Sequence, residues 1–276
     1  MSNRYLERVF AHSQVESVRL RAHFGQMQTR SVEAGEAICL QDSAGPQLCL
    51  IAEGTALGMV EVRSCRESPE LQPVIAYTEG MWLGANNVMG SYLGIVPTSG
   101  VQHFAATDLV IVRIGFDLAR RLMVTEPKLL DFIMKLCLKE AVRCNRMMVH
   151  MKFGGPVHRV ISGFSLLADS HAERVPLRAG PGSDMPVRED SVDILLSQSS
   201  LGQLFGVSRS IISPILNKLA QEGWLELHYC RTTLLRPHAW QALAQRMLTG
   251  LPISRDLSVE AALRLLGQCL VSVESS

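Results

Sequence analysis

Short apolar runs cut by glycine dominate residues 31–114, with Gly35, Gly45, Gly54, Gly80, Gly84, Gly90, Gly94 and Gly100 as the punctuation. This spacing of strands and turns predicts an all-β barrel or roll. Two strands stand out, residues 48–51 ahead of a turn at Glu53 and Gly54, and residues 110–114. Before the roll, residues 4–24 read as a short helix.

From residue 126 to 153 the period becomes helical, with Pro127 in the first turn, where its missing N–H is not needed. Met134, Cys137, Ala141, Cys144, Met148 and Met151 alternate at spacings of three and four, an apolar seam of the coiled-coil kind. The seam suggests a parallel homodimer; the other reading is a helix packed on its own β domain. Phe153-Gly154-Gly155-Pro156 then ends the helix in a hinge or a sharp stop. A second helix runs to about Asp169, and residues 170–193, rich in proline, glycine and charge, read as a loop or loose hairpin.

Beyond Ile194 the pattern is that of a helix-turn-helix. Ser197 is an N-cap, Leu201, Leu204 and Phe205 form one buried face, and Gly206 permits a tight turn. Ser208 opens a second helix that turns Ile211, Ile212, Ile215, Leu216 and Leu219 inward. Ser199, Ser208, Arg209, Ser210, Ser213 and Asn217 are left to face DNA. Glu222 and Gly223 stop the helix, and residues 224–228 and 232–235 can pair as a wing around Tyr229, Cys230 and Arg231. A helix entering the major groove by its N-terminus would let Arg209 donate two bonds to guanine O6 and N7. Lys218 and Arg231 would meet phosphates. A helical hairpin that merely packs has the same outline. Residues 239–248 and 258–270 add amphipathic helices that could brace a dimer, cover the roll or bind a partner.

Composition narrows the class. A chain of 276 residues, 47% apolar, can fill folded cores, and its formal charge of +1 supplies no global attraction to nucleic acid or membrane. DNA affinity must come from a local patch. Seven cysteines without a CxxC pair fit a reducing compartment, so a cytoplasmic protein is expected. The N-terminal Arg4, Glu7 and Arg8 do not look like an export leader, and no run reaches the roughly 18 apolar residues a membrane span needs. No phosphate loop, zincin helix, nucleophile elbow or dinucleotide fingerprint occurs, so no catalytic residue, metal ligand or enzymatic activity is expected.

Gly206-Val207-Ser208-Arg209, followed by Leu216-Asn217-Lys218-Leu219, resembles the recognition segment of the Crp/Fnr family of bacterial regulators across residues 202–227. The order of parts from about residue 30 to 236 is similar too. The resemblance implies an α+β protein: an N-terminal cyclic-nucleotide-binding-like β-roll (residues 1–125), a long dimerisation helix (126–153), a C-terminal winged helix-turn-helix (154–250) and a helical extension (251–276). It implies a transcription regulator that binds double-stranded DNA as a homodimer on a pseudo-palindromic operator, and that meets RNA polymerase if it activates. Arg209 matches the family's guanine-reading arginine.

The departures are specific. Ser210 stands where many members carry a glutamate able to accept from cytosine N4, and Pro214 replaces a frequent basic residue and is expected to bend the recognition helix. Gly80-Met81-Trp82-Leu83-Gly84 resembles the family's ribose-phosphate element, but Ala85 occupies the glutamate position and Ser99-Gly100 the arginine-serine position. A buried phosphate without a cationic partner is unfavourable, which argues against cyclic AMP or GMP as effector. Trp82, Asn86, Asn87 and Tyr92, with Cys144 and Asn145 from the long helix, could line a pocket for a less charged ligand or simply pack. The cysteines are not spaced for an iron–sulfur cluster. Haem, for which His103, Cys65 or Met81 would be axial ligands, is not expected, and no cofactor is assigned. Cys137 and Cys144 could form a redox switch, though compact apolar filling is favoured. The effector is thus an unidentified small molecule or redox signal. The competing function is a protein-interaction or ligand-sensing module whose DNA reader has degenerated.

Overall fold

The computed structural model describes residues 22–43, 45–62, 70–95, 100–172, 191–249 and 252–274. The helix expected over residues 4–24 lies almost entirely outside these; its end is a single 3-10 turn, Phe24–Gln26. Two compact units divide at Val142 and Arg143, within the long helix.

In the first unit, β1 (Gln28–Val32), β2 (Gln41–Asp42), β3 (Gly45–Glu53), β4 (Thr55–Val62), β5 (Glu70–Thr78), β6 (Trp82–Leu83), β7 (Val101–Ala105) and β8 (Leu109–Gly115) form two antiparallel sheets. One is ordered β1-β8-β3-β2 with β6 beside β3, and the other β5-β4-β7. The expected strands at 48–51 and 110–114 are the centres of β3 and β8, which pair with each other. Both strands are covered on two faces, which is why they read as unbroken apolar runs. Cys49, Ile51, Leu109 and Ile111 point into the roll, whereas Leu48, Leu50, Ala52, Val112 and Ile114 meet helices outside it.

Those helices are α1 (Ala85–Tyr92), α2 (Phe116–Thr125) and the first turns of α3 (Pro127–Phe153). The glycine-punctuated pattern hides α1, whereas α2 lies beyond it and carries Leu118, Ala119, Leu122 and Met123 at helical spacing. Pro127 begins α3 as its chemistry predicts. Leu129 and Ile133 of α3 are buried in the outer core, and Leu130, Phe132, Leu136 and Cys137 pack against it.

The second unit continues with α4 (Pro156–Ala172), β9 (Ser191–Ile194), α5 (Gln198–Leu204), α6 (Arg209–Gln221), β10 (Leu225–His228), β11 (Arg231–Leu235), α7 (Pro237–Thr249) and α8 (Val259–Glu274). The wing has three strands, ordered β10-β11-β9. Residues 191–193, expected in the loop, are paired instead with β11, because Val192 and Ile194 alternate into the core. Phe164 stands edge-on to Phe205 and Trp240, and Trp224 edge-on to Trp240, so aromatic rings bind α4, the helix-turn-helix, the wing and α7 into one core. The extension is part of this body, since α8 packs on α7, α4 and α6. Among the described residues no helix is long and apolar enough to cross a membrane.

Candidate nucleic-acid interface and effector roll

The Ser197 hydroxyl accepts from the Ser200 amide at 3.0 Å, capping α5 as expected. Gly206 adopts φ +63° in the turn, a conformation only glycine takes without cost. Ser208 occupies the N-cap of α6, yet its hydroxyl makes no capping bond and instead lies 3.0 Å from the Ser210 hydroxyl. Ile212, Ile215, Leu216 and Leu219 are buried, whereas Ile211 is 45% exposed and does not belong to the inward face. The physical reason is angular: Ile211 lies one residue before the core stripe of Ile212, Ile215, Leu216 and Leu219, about 100° around the helix from Ile212, at the edge of the buried face.

Ser199, Ser208, Arg209, Ser210 and Asn217 are exposed and Ser213 half-buried. The structure gathers Ser208, Arg209, Ser210 and Ser213 on the first turns of α6. Pro214 is exposed inside α6, and the helix runs through it without a break from Arg209 to Gln221. The amide that Pro214 lacks would have served the Ser210 carbonyl, and Ser210 is exposed to water, which can serve it instead. Lys218 is a different case. Its ammonium donates to Glu222 at 2.8 Å, and that bond, with the charges of Glu222 and Glu260, raises its pKa. The cation expected to meet a phosphate is thus paired with Glu222, four residues on. Arg231 sits on β11 with a guanidinium nitrogen 4.0 Å from Asp193, and the turn it borders is the two-residue Tyr229-Cys230.

In the roll, Gly84 has φ +81°, and a Cβ there would lie 2.2 Å from the Gln47 carbonyl oxygen. Its glycine is demanded by backbone approach to β3, with or without a ligand. Ala85 is buried, and Trp82 is a core residue edge-on to Phe132, not a pocket wall. The correction has a simple cause: β6 pairs with β3, which turns Trp82 to the helix-covered side. Asn87 is half-buried, Gly100 is exposed, and Ser99 and Cys65 lie outside the described residues. Asn86 donates at 2.7 Å to Glu140, which also accepts from the Tyr77 hydroxyl at 2.5 Å. Glu140 projects from α3 onto the roll, a residue that the apolar reading of the helix passed over. Its signal was its place four residues before Cys144, on the same helical face.

The His103 ring lies tilted against Tyr77, the centroids 5.4 Å apart, and burial pushes its pKa down to about 4. The Met81 sulfur accepts from the Thr78 amide and hydroxyl. Among the described residues no three metal-ligating side chains come together.

On α3, Met134 (55%), Leu138 (66%), Ala141, Cys144, Asn145 and Met148 are exposed and Met151 is half-buried. Cys137 is not on this face: it packs on the roll's outer core, and burial followed by the Glu140 charge pushes its thiol up to about 11. Leu138 takes its place. The physical reason is that Ile133 and Cys137, four residues apart, follow the roll, which turns Met134 and Leu138 outward together.

No protein-family model and no curated protein matches this chain. Solved structures do. A cyclic nucleotide-binding domain containing protein from Listeria monocytogenes EGD-e aligns with a TM-score of 0.58 at 15% identity, over 84% of this chain and 98% of that one. This is the CRP/FNR fold. A CRP/FNR family transcriptional regulator from Thermus thermophilus aligns at 0.51 and 16% identity, over 79% of this chain and 98% of that one. The c-di-GMP responsive global regulator CLP of Xanthomonas campestris aligns at 0.53 and 15% identity, over 80% and 99%. The CRP/FNR fold accounts for the order of roll, long helix and winged helix-turn-helix in one stroke.

Proposed function

We propose that this chain is a CRP/FNR-type transcription regulator, a cytoplasmic protein that reads a pseudo-palindromic operator as a homodimer. The observation that carries the reading is Arg209, exposed in the first turn of a helix whose opposite face is the core of a winged helix-turn-helix. That placement delivers a guanidinium to the major groove by the helix N-terminus, with Ser208, Ser210 and Ser213 beside it. Ser210 supports an operator different from that read by an arginine-glutamate pair. The exposed row of Met134, Leu138, Ala141, Asn145 and Met148 supports self-association along α3, its steps of four and three being those of a coiled-coil seam. An asparagine at one core position of such a seam favours a single register.

For the roll, buried Ala85 and the carboxylate of Glu140 between Tyr77 and Asn86 support an effector other than an anionic cyclic nucleotide. RNA polymerase is a partner if the protein activates. The second reading, an interaction module with a degenerate reader, is favoured by Pro214 and by the capture of Lys218 by Glu222.

Selection of bound sequences from random duplex DNA separates the two readings. The wild type is expected to enrich a symmetric site, and Arg209→Ala to lose roughly 1 to 3 kcal/mol at a guanine of each half-site. A wild type that enriches no palindrome overturns the regulator.

A further inference from the structure

The paired glycines after α3 look like a swivel, but their surroundings describe a lock. A Cβ on Gly155 would lie 1.9 Å from the Arg255 carbonyl oxygen, and one on Gly154 would lie 2.5 Å from the His158 ring. Both glycines are therefore places where other parts of the chain come close. The Gly155 amide donates to the Ser254 carbonyl at 3.0 Å, so the segment ahead of α8 holds one side of the hinge. Arg159 holds the other. Its Nε donates to the Gly154 carbonyl at 2.8 Å and its Nη1 to the Gly206 carbonyl at 2.8 Å. Gly206 is the turn that launches the recognition helix. One guanidinium thus ties the first carbonyl after the long helix to the turn two residues before Ser208.

The rigidity of the guanidinium matters. Its donors lie in one plane at fixed angles, so two carbonyls bonded to it are held at a set separation and direction. Hydrogen bonds from a charged donor are stronger than neutral ones, and this side chain is only half-exposed. A lysine, with a point charge on a flexible stem, cannot hold both carbonyls in that geometry.

We propose that Arg159 is a positioning residue for operator reading: by joining the carbonyls of Gly154 and Gly206 it sets the pose of α6 on the end of α3. In a symmetric dimer that pose determines the distance between two recognition helices, and hence the spacing of half-sites. Arg159 reads no base. It rests on the DNA-reading function proposed above, and it assigns to Arg159 and the extension a role in half-site spacing.

The test compares wild type, Arg159→Met and Arg159→Lys in the full chain against palindromes whose half-sites are separated by the selected spacing or by one base pair more or less. The wild type is expected to favour the selected spacing. Both variants should keep the half-site sequence and the oligomeric state, but lose about tenfold or more of the discrimination between spacings, as expected when Arg159→Lys gives up one of the two charge-assisted hydrogen bonds and Arg159→Met gives up both. Arg159→Lys carries the test should Arg159→Met fold poorly. A merely structural arginine would lower affinity for all spacings together with thermal stability, and unchanged discrimination overturns the proposal. If the wild type enriches no DNA, the DNA reading has failed, and amide hydrogen exchange judges the lock by itself. Faster exchange in Arg159→Met in both segments 150–160 and 202–210 supports it, and exchange altered in neither or only one overturns it.

Discussion

The Nδ1 of His150 lies 3.0 Å from the Nε2 of His158, with the two rings stacked and both side chains buried at the corner between α3 and α4. One nitrogen must donate and the other accept, so this bond breaks if both imidazoles are protonated. Burial, and then the neighbouring charge, holds both below the ordinary histidine range: Arg146 acts on His150, and His150 acts on His158, which falls to about 4.

This pair predicts an acid-sensitive fold. The unfolded chain takes up protons at its histidines below a pH of about 6.5, whereas His158 in the folded chain resists until about 4 and His150 is held down in the same direction. Stability is therefore full above about 6.5 and falls as the pH drops toward about 4, by up to about 1.4 kcal/mol per pH unit for each such group. His103 in the roll adds to the same slope. His158→Gln, which can still bond to His150, should make the fall in melting temperature between pH 6.5 and 4.5 shallower. An identical slope in the variant and the wild type contradicts the assignment.

The long helix predicts a contrast between neighbours. Leu138→Glu places a charge in the proposed seam and is expected to yield monomers by sedimentation velocity. Cys137→Ser should remain associated while losing about 1 kcal/mol or more of stability, because its thiol packs on the roll. Monomers from the cysteine variant, and dimers from the leucine variant, would reverse the assignment of the two faces.

Lys218 offers a reading of charge. Because Glu222 already pairs with it, Lys218→Ala should change the salt dependence of DNA binding only slightly. Glu222→Gln with Glu260→Gln should release the cation and steepen the slope of log affinity against log salt by about one per half-site. The measurement is a titration over a range of salt concentrations.

Gly84 separates ligand chemistry from backbone geometry. Gly84→Ala would bring a methyl to 2.2 Å from the Gln47 oxygen at a positive φ, and is expected to destabilise the chain by roughly 1 to 3 kcal/mol. Ala85→Glu, which restores the carboxylate of the Crp/Fnr pattern, should destabilise the roll without creating cyclic AMP affinity, since the side chain it replaces is buried. Urea unfolding and calorimetric titration with cyclic AMP report the two results. Tight cyclic AMP binding by Ala85→Glu would show that the missing carboxylate was the decisive loss.

What the linear pattern determines here is local. The strand centres, the start of α3 at Pro127, the cap at Ser197, the turn at Gly206 and the stripe of Ile212, Ile215, Leu216 and Leu219 each depend on residues within a few positions of one another, and periodicity and cap chemistry report them directly. The helix α1 was hidden because its glycine and short length give no period to read, whereas α2, with Leu118, Ala119, Leu122 and Met123 at helical spacing, was passed over between the strand block and α3. Tertiary structure decided everything that depends on distant chain segments meeting. Cys137 left the seam because the roll lies beneath it, and Trp82 left the pocket because β6 pairs with β3; the bond of Lys218 to Glu222, four residues on, is by contrast local. Gly154 and Gly155, read as a hinge from their own chemistry, are a lock because the Ser254 carbonyl of a distant segment accepts from the Gly155 amide, and because the nearby Arg159 guanidinium joins the Gly154 carbonyl to the distant Gly206 carbonyl.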